Sequence, residues 1–294
     1  MSALRSPYSL RALAALALAV LASGASARSR IIDGTDVPAG QYPEVFAIAQ
    51  SLDEATLVQT LCTAVLVHPQ VLLTAAHCLP EDPSRPVTVI AGPDARAPLA
   101  TYASARTARN RAYFTTQSDI QATGYDLGVV VLEKPMPGAD AETGAGLAKL
   151  ASIADGAIVE TLHRDGAIVV GYGGKNTAYT DASTGTKRSA TAKVLEISTY
   201  AFSTSGPSAA VSRGDSGGPA YVVDATGELR LIGIASGVPK SRRLDVAGLP
   251  GLSLYASMRS ELACWVEKAS GFPLPSLPGS RGCEPETISF GALN

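Results

Sequence analysis

Short runs of apolar and β-favouring residues, set between glycines and prolines, recur along the chain and limit what it can fold into. In the first half they cover residues 45–49, 61–67, 71–74, 87–91 and 128–132. In the second half they cover residues 157–162, 167–171, 190–197, 220–223, 229–235 and 252–257. Such repetition predicts strands of an all-β sandwich or barrel, because βαβ units would need longer helical segments between them. A chain of 294 residues can bury a substantial core, in one large β unit or two small ones. The Gly-, Ala- and Pro-rich stretch 135–146 reads as a linker between two halves. One helix is expected near the end: Ser257 or Ser260 would cap it, Leu262, Val266 and Ala269 recur at helical spacing, and Gly271 and Pro273 stop it. The tail beyond, with Pro275, Pro278 and Pro285, is expected to lie extended on the surface, tied back by Cys283.

The first 27 residues read as an export signal and stand outside the fold. Arg5 and Arg11 form a basic start, residues 12–22 an apolar run, and Ala25-Ser26-Ala27 a small-x-small cleavage site. The run is shorter than the roughly 20 residues a spanning helix needs. The expected location is therefore secreted or periplasmic, with no membrane partner once the signal is removed. Four cysteines, an even number, suit an oxidising compartment. They allow three pairings, of which Cys62–Cys78 with Cys264–Cys283 is the sequence-local one. A zinc site is the competing reading, but no Cys-x-x-Cys pair is present. A net charge of −2, without a basic stripe or a long charge run, gives no sign of a nucleic-acid or membrane-surface partner.

The chemistry concentrates in three segments. Gly214-Asp215-Ser216-Gly217-Gly218-Pro219 offers a serine, Thr74-Ala75-Ala76-His77-Cys78 a histidine, and Asp126-Leu127-Gly128-Val129 a carboxylate. A serine hydroxyl is a weak nucleophile unless an imidazole takes its proton and a carboxylate holds that imidazole in the right tautomer. Gly214 to Gly218 also satisfies the Gly-x-Ser-x-Gly nucleophile elbow. That motif is followed by a helix and a later histidine, whereas Pro219 opens a β-like run and His68, His77 and His163 all precede Ser216. A subtilisin-like order would need an aspartate before His77, such as Asp33 or Asp53, on an α/β sheet, against the β-rich pattern. His68 and His163 lack a comparable context and read as surface or loop residues.

With these segments in this order, the chain resembles the trypsin-like serine peptidases of chymotrypsin fold. Arg30-Ile31-Ile32-Asp33-Gly34, Gly171-Tyr172-Gly173 and residues 231–236 add to the likeness, which spans almost all of the sequence after the signal. The resemblance implies two packed six-stranded antiparallel β-barrels with a C-terminal helix. The division it suggests is a signal at 1–27, a propeptide at 28–30 and a peptidase domain at 31–294. Within that domain, barrel one would occupy about 31–145, barrel two about 146–258, and the helix and tail 259–294. It implies Ser216 as nucleophile, His77 as general base and then acid, Asp126 as its orienting partner, and the N–H groups of Gly214 and Ser216 as oxyanion hole. Cleavage after Arg30 would free the α-amino group of Ile31 to pair with Asp215. Cys62–Cys78 matches the family disulfide beside the histidine, whereas Cys264–Cys283 matches no common family pairing. Ser212 stands where many members carry a cysteine.

For substrate binding the resemblance points to Ala210 at the pocket base, Ser236 beside the substrate backbone, and Val238 and Ser253 at the walls. Without an acid at position 210, a cationic side chain would be buried unpaired, so small aliphatic residues are expected before the scissile bond, with Leu or Phe as runner-up. The partners implied are protein or peptide substrates and an activating protease. No cofactor and no metal are implied. The alternative is a triad-bearing binding or adhesion protein with little turnover.

Overall fold

The structure, a computed structural model, describes residues 34–50, 57, 60–116, 119–152, 155–175, 183–205, 210–237 and 252–274. A two-residue strand, β1 (Thr35–Asp36), comes first, and six strands then close a barrel. They are β2 (Val45–Ala49), β3 (Cys62–His68), β4 (Val71–Thr74), β5 (Thr88–Ala91), β6 (Ala100–Arg109) and β7 (Gly128–Leu132), joined in the order β2-β3-β4-β7-β6-β5. After the short β8 (Lys149–Leu150), six more strands form a second closed ring. These are β9 (Ala167–Gly171), β10 (Arg188–Ile197), β11 (Ala201–Ser205), β12 (Pro219–Val223), β13 (Leu229–Gly237) and β14 (Ser253–Ser257). Their order is β9-β10-β11-β14-β13-β12, and β12 pairs back onto β9. Every pairing within the two rings is antiparallel.

Burial explains why the first barrel's strands read as unbroken apolar runs. All residues of β2, β4 and β7 are buried. Val45, Ala47, Val65, Val71 and Leu73 pack with Tyr172, Leu231 and Ile234 of the second barrel and with Leu262 and Val266. The alternate set, Phe46, Ile48, Ala64, Leu66, Leu72 and Val130, packs as a separate cluster. With both faces covered, a strand needs apolar residues at every position and loses its alternation. The second barrel has its own cluster around Val169, Val194, Phe202, Ile232 and Tyr255.

Two expectations need correction. Residues 157–162 form no strand. They lie in a helix, Gly156–Asp165, here α3 after α1 (Ala112–Thr115) and α2 (Asp119–Tyr125). The Asp155 carboxylate accepts from the Ala157 N–H at 2.9 Å, Ile158 and Leu162 bury one face, and Gly166 ends the helix at φ +77°. An N-cap aspartate with an i, i+4 apolar pair is a helix signal, outweighed in the sequence reading by the run Ala157–Leu162. The C-terminal helix α4 (Ser260–Ser270) buries Leu262 and Val266 as expected, but neither Ser257 nor Ser260 caps it. Ser257 ends β14, and the N-cap position falls on Arg259, whose side chain makes no capping bond. Gly271 closes the helix in the left-handed region, where its missing Cβ avoids strain.

Each half also reaches across to the other. β1 pairs with β10 of the second barrel. From β6, the Arg106 guanidinium donates to the carbonyls of Ala269 and Ser270 at the end of α4, so the C-terminal helix is held on the first barrel. These crossings fix the two barrels, and the crevice between them, in one arrangement.

Candidate active site

The crevice gathers three loops. His77 sits in a single turn of 3-10 helix (Ala76–Cys78) directly after β4. Asp126 lies between α2 and β7, and Ser216 in the turn that leads into β12. Asp126 is fully buried, and its Oδ2 accepts from His77 Nδ1 at 2.7 Å and from the Ser236 hydroxyl at 2.6 Å. Its Oδ1 accepts from the His77 backbone N–H at 3.1 Å. A carboxylate facing Nδ1 places the proton there and leaves Nε2 as the free base. Tyr113 flanks the imidazole at a ring distance of 6.1 Å, its hydroxyl pushed up to about 12 by burial and by the Asp126 charge.

His77 and Ser216 line one cavity of about 470 Å³, together with Val211, Ser212, Arg213 and Gly214. No hydrogen bond joins the Ser216 hydroxyl to His77 in this structure; such bonds often tighten only when substrate is bound. The turn carrying Ser216 is clamped from the first barrel by Thr63 of β3. Its hydroxyl donates to the Gly214 carbonyl at 2.7 Å and accepts from the Tyr172 N–H at 3.1 Å, while its N–H donates to the Ser216 carbonyl at 2.8 Å. Gly217 has φ +84°, and a Cβ there would meet Thr74 Oγ1 at 2.1 Å and the Thr63 carbonyl at 2.2 Å. Only glycine lets the turn lie this close to the first barrel. The N–H groups of Gly214 and Ser216 donate to no acceptor among the described residues, whereas those of Asp215, Gly217 and Gly218 are bonded within the protein.

Asp215 turns away from the cavity into the second barrel. It is 3% exposed, with Oδ1 accepting from the Gly173 N–H at 2.7 Å and Oδ2 from the Ser212 N–H at 2.8 Å and, more weakly, the Ser212 hydroxyl at 3.3 Å. Burial raises its carboxyl to about 6 against these hydrogen bonds and the charge of Arg188. A Cβ on Gly171 or on Gly173 would come within 2.2 Å of this carboxylate, so the Gly171-Tyr172-Gly173 signal is the imprint of the buried acid. No cation among the described residues forms an ion pair with Asp215. Arg30, Ile31 and Val238 lie outside the described residues.

The remaining sequence-derived residues fall as follows. Ala210 is 4% exposed and Ser253 is fully buried; neither lines the cavity, and Ser253 Oγ accepts from the Val211 N–H at 2.9 Å, bracing the wall from behind. Ser236 carries the hydrogen bond to Asp126, a link the sequence reading did not assign, as it did not assign Thr63. Cys62 and Cys78 are joined, their bridge lining the cavity beside His77. Cys62, His77 and Cys78 cluster within 4.8 Å, but the two sulfurs are bonded to each other, so this cluster offers a zinc ion no thiolate. Cys264 is disulfide-bonded, and its expected partner Cys283 lies outside the described residues. No helix among the described residues is long and apolar enough to cross a membrane.

Two closed six-stranded antiparallel barrels, a C-terminal helix and a site in the crevice between them define a protein of chymotrypsin fold. The family model described as Trypsin matches residues 31–252, and the chain belongs to the trypsin family of serine proteases. Among solved structures it is similar to the scabies mite inactivated protease paralogue S-D1, at 16% identity and a TM-score of 0.59, over 81% of this chain and 97% of that one. At that identity the likeness concerns the fold.

Proposed function

We propose that this chain is a serine endopeptidase that hydrolyses peptide bonds through an acyl-enzyme. Ser216 attacks the carbonyl carbon, His77 Nε2 takes the hydroxyl proton and returns it to the leaving amine, and Asp126 keeps His77 oriented. The Gly214 and Ser216 N–H groups receive the negative charge that develops on the carbonyl oxygen. The observation that carries this reading is the buried Asp126 carboxylate at 2.7 Å from His77 Nδ1, facing a cavity that Ser216 shares. No metal is assigned to the chemistry.

The enzyme is exported by residues 1–27 and made as a zymogen. Cleavage after Arg30 supplies the Ile31 ammonium, and the support for its destination is Asp215, a buried carboxylate with no ion-pair partner among the described residues. The pocket takes small or aliphatic side chains before the scissile bond. The support is Val211, an apolar residue on the cavity wall held from behind by Ser253, and Val238 would narrow the entrance.

The second reading, a binding protein with the triad but little turnover, is favoured by one observation: Ser216 and His77 make no hydrogen bond here. Labelling of the cleaved protein with a fluorophosphonate separates the two. Stoichiometric labelling of Ser216 supports the peptidase, and an unlabelled protein overturns it.

A further inference from the structure

A second cavity, of about 530 Å³, lies at the start of α4 and shares no described lining residue with the one that holds His77 and Ser216. Ser152, Ser198, Thr199, Arg259, Ser260 and Glu261 line it. The Arg259 side chain is only 8% exposed. Its guanidinium carbon lies 4.2 Å from the centre of the Tyr200 ring and 5.5 Å from that of Tyr125, so aromatic rings cover a fixed cation. Nη1 donates to the Thr199 carbonyl at 3.4 Å, whereas Nε is buried without a hydrogen-bond partner. The Glu261 carboxylate stands 3.8 Å from Nε, outside hydrogen-bond distance, on a side chain that is 65% exposed. Because Thr199 and Glu261 both line the cavity, their contacts hold the guanidinium at its wall with Nε on the Glu261 side.

The same wall carries further donors. Helix α4 begins at Ser260, and its N-cap residue, Arg259, makes no side-chain capping bond. The N–H groups of Ser260, Glu261 and Leu262 donate to no acceptor among the described residues, and the Ser260 hydroxyl makes no hydrogen bond there. A buried cation with an unused N–H, beside the positive end of a helix, calls for an anion. An exposed carboxylate at 3.8 Å supplies little of that need. We propose that this cavity binds a tetrahedral oxyanion of the phosphate or sulfate class, held by Arg259 Nε–H, the Ser260 hydroxyl and the first-turn N–H groups of α4, with Glu261 swung out to solvent. Such an anion presents oxygens in several directions and can accept charge-assisted bonds from the guanidinium and the helix end together.

The test is calorimetric titration of the full chain with inorganic phosphate, with chloride holding the ionic strength constant. One saturable site is expected. Glu261→Gln removes the competing carboxylate from an exposed position and should tighten phosphate binding roughly fivefold. Ser260→Ala should weaken it. Arg259→Lys should weaken it roughly tenfold, because an ammonium lacks the guanidinium's fixed fork of donors. If Arg259→Lys fails to fold, the opposite shifts in Glu261→Gln and Ser260→Ala still decide the matter. No saturable phosphate binding to the Glu261→Gln chain, or an affinity that neither Glu261→Gln nor Ser260→Ala alters, overturns the proposal. A parallel titration with glycerol phosphate separates two sources of the same chemistry. Tighter binding than inorganic phosphate supports the site as one for an oxyanion carried on an organic group, and equal or weaker binding supports it as one for the free ion.

Discussion

Ser216, His77 and Asp126 come from three loops, and of these Ser216 can be changed with little cost to the fold, whereas removing the buried Asp126 would leave three donors without their acceptor. Ser216→Ala deletes one oxygen at a partly exposed site. Its thermal midpoint should stay near that of the parent, while kcat/KM falls by roughly four orders of magnitude or more. Near-normal hydrolysis by that variant would refute the nucleophile. Ser236→Ala tests the support of Asp126: one hydrogen bond to a charged acceptor is lost, and kcat/KM should drop roughly tenfold. Thr63→Val acts on the fold and the site together. It preserves shape but leaves the buried Gly214 carbonyl and Tyr172 N–H without their partner, which should cost about 1–3 kcal/mol in a denaturant titration. Asp215 gives a pH signature. Its folded carboxyl titrates at about 6, against 3.8 for the unperturbed group. The folded state of the uncleaved chain therefore holds its proton longer, and stability should decline as pH rises through that interval. Asp215→Asn should flatten that slope in urea titrations at a series of pH values. A slope of opposite sign would show that a cation already pairs with the carboxylate.

The elements differ in how openly their sequences declare them. Strands β2, β4, β7 and β9 coincide with their apolar runs, because burial on both faces forces apolar residues at every position. Strand β6 carries no apolar run. Its sequence, ATYASARTAR, is largely small and polar, and it exposes much of its length, so its hydrogen bonds to β5 and β7 define it. Strand β11 escaped for a related reason: Phe202 is its one large apolar residue. Helix α3 is the instructive error, since it holds β-favouring Ile158, Val159 and Thr161, yet the Asp155 cap and the Ile158–Leu162 pair prevail. Asp155→Ala should therefore destabilise the protein by about 1 kcal/mol, measured by chemical denaturation. No change on that substitution would mean that packing of Ile158 and Leu162 alone holds the helix.

At the scale of the molecule, the site exists only because the barrels are locked together. Thr63 of the first barrel holds the Ser216 turn of the second, β1 crosses to β10, and Arg106 holds the end of α4 on the first barrel. The proposed activation belongs to this scale, since it would move a chain terminus. Protein that retains residues 28–30 should be nearly inactive, and N-terminal sequencing of active material should begin at Ile31. Full activity with Arg30 still attached would refute the proposed pairing with Asp215. After cleavage, the pH slope assigned to Asp215 should disappear, because a neighbouring ammonium lowers a carboxyl that burial had raised.

The all-β character, most strand positions and the three segments proposed to carry the chemistry are legible in the amino-acid order. Each of these rests on local pattern: apolar runs for buried strands, and short motifs whose glycines stand where a Cβ would strike Asp215 or Thr74. The closure of each sheet into a ring, the crossings between halves and the partners of Asp126 were decided by tertiary structure alone. Thr63 and Ser236 show why. Their neighbours in sequence say nothing about Gly214 or Asp126, which lie 151 and 110 residues away along the chain and meet them only when the barrels pack.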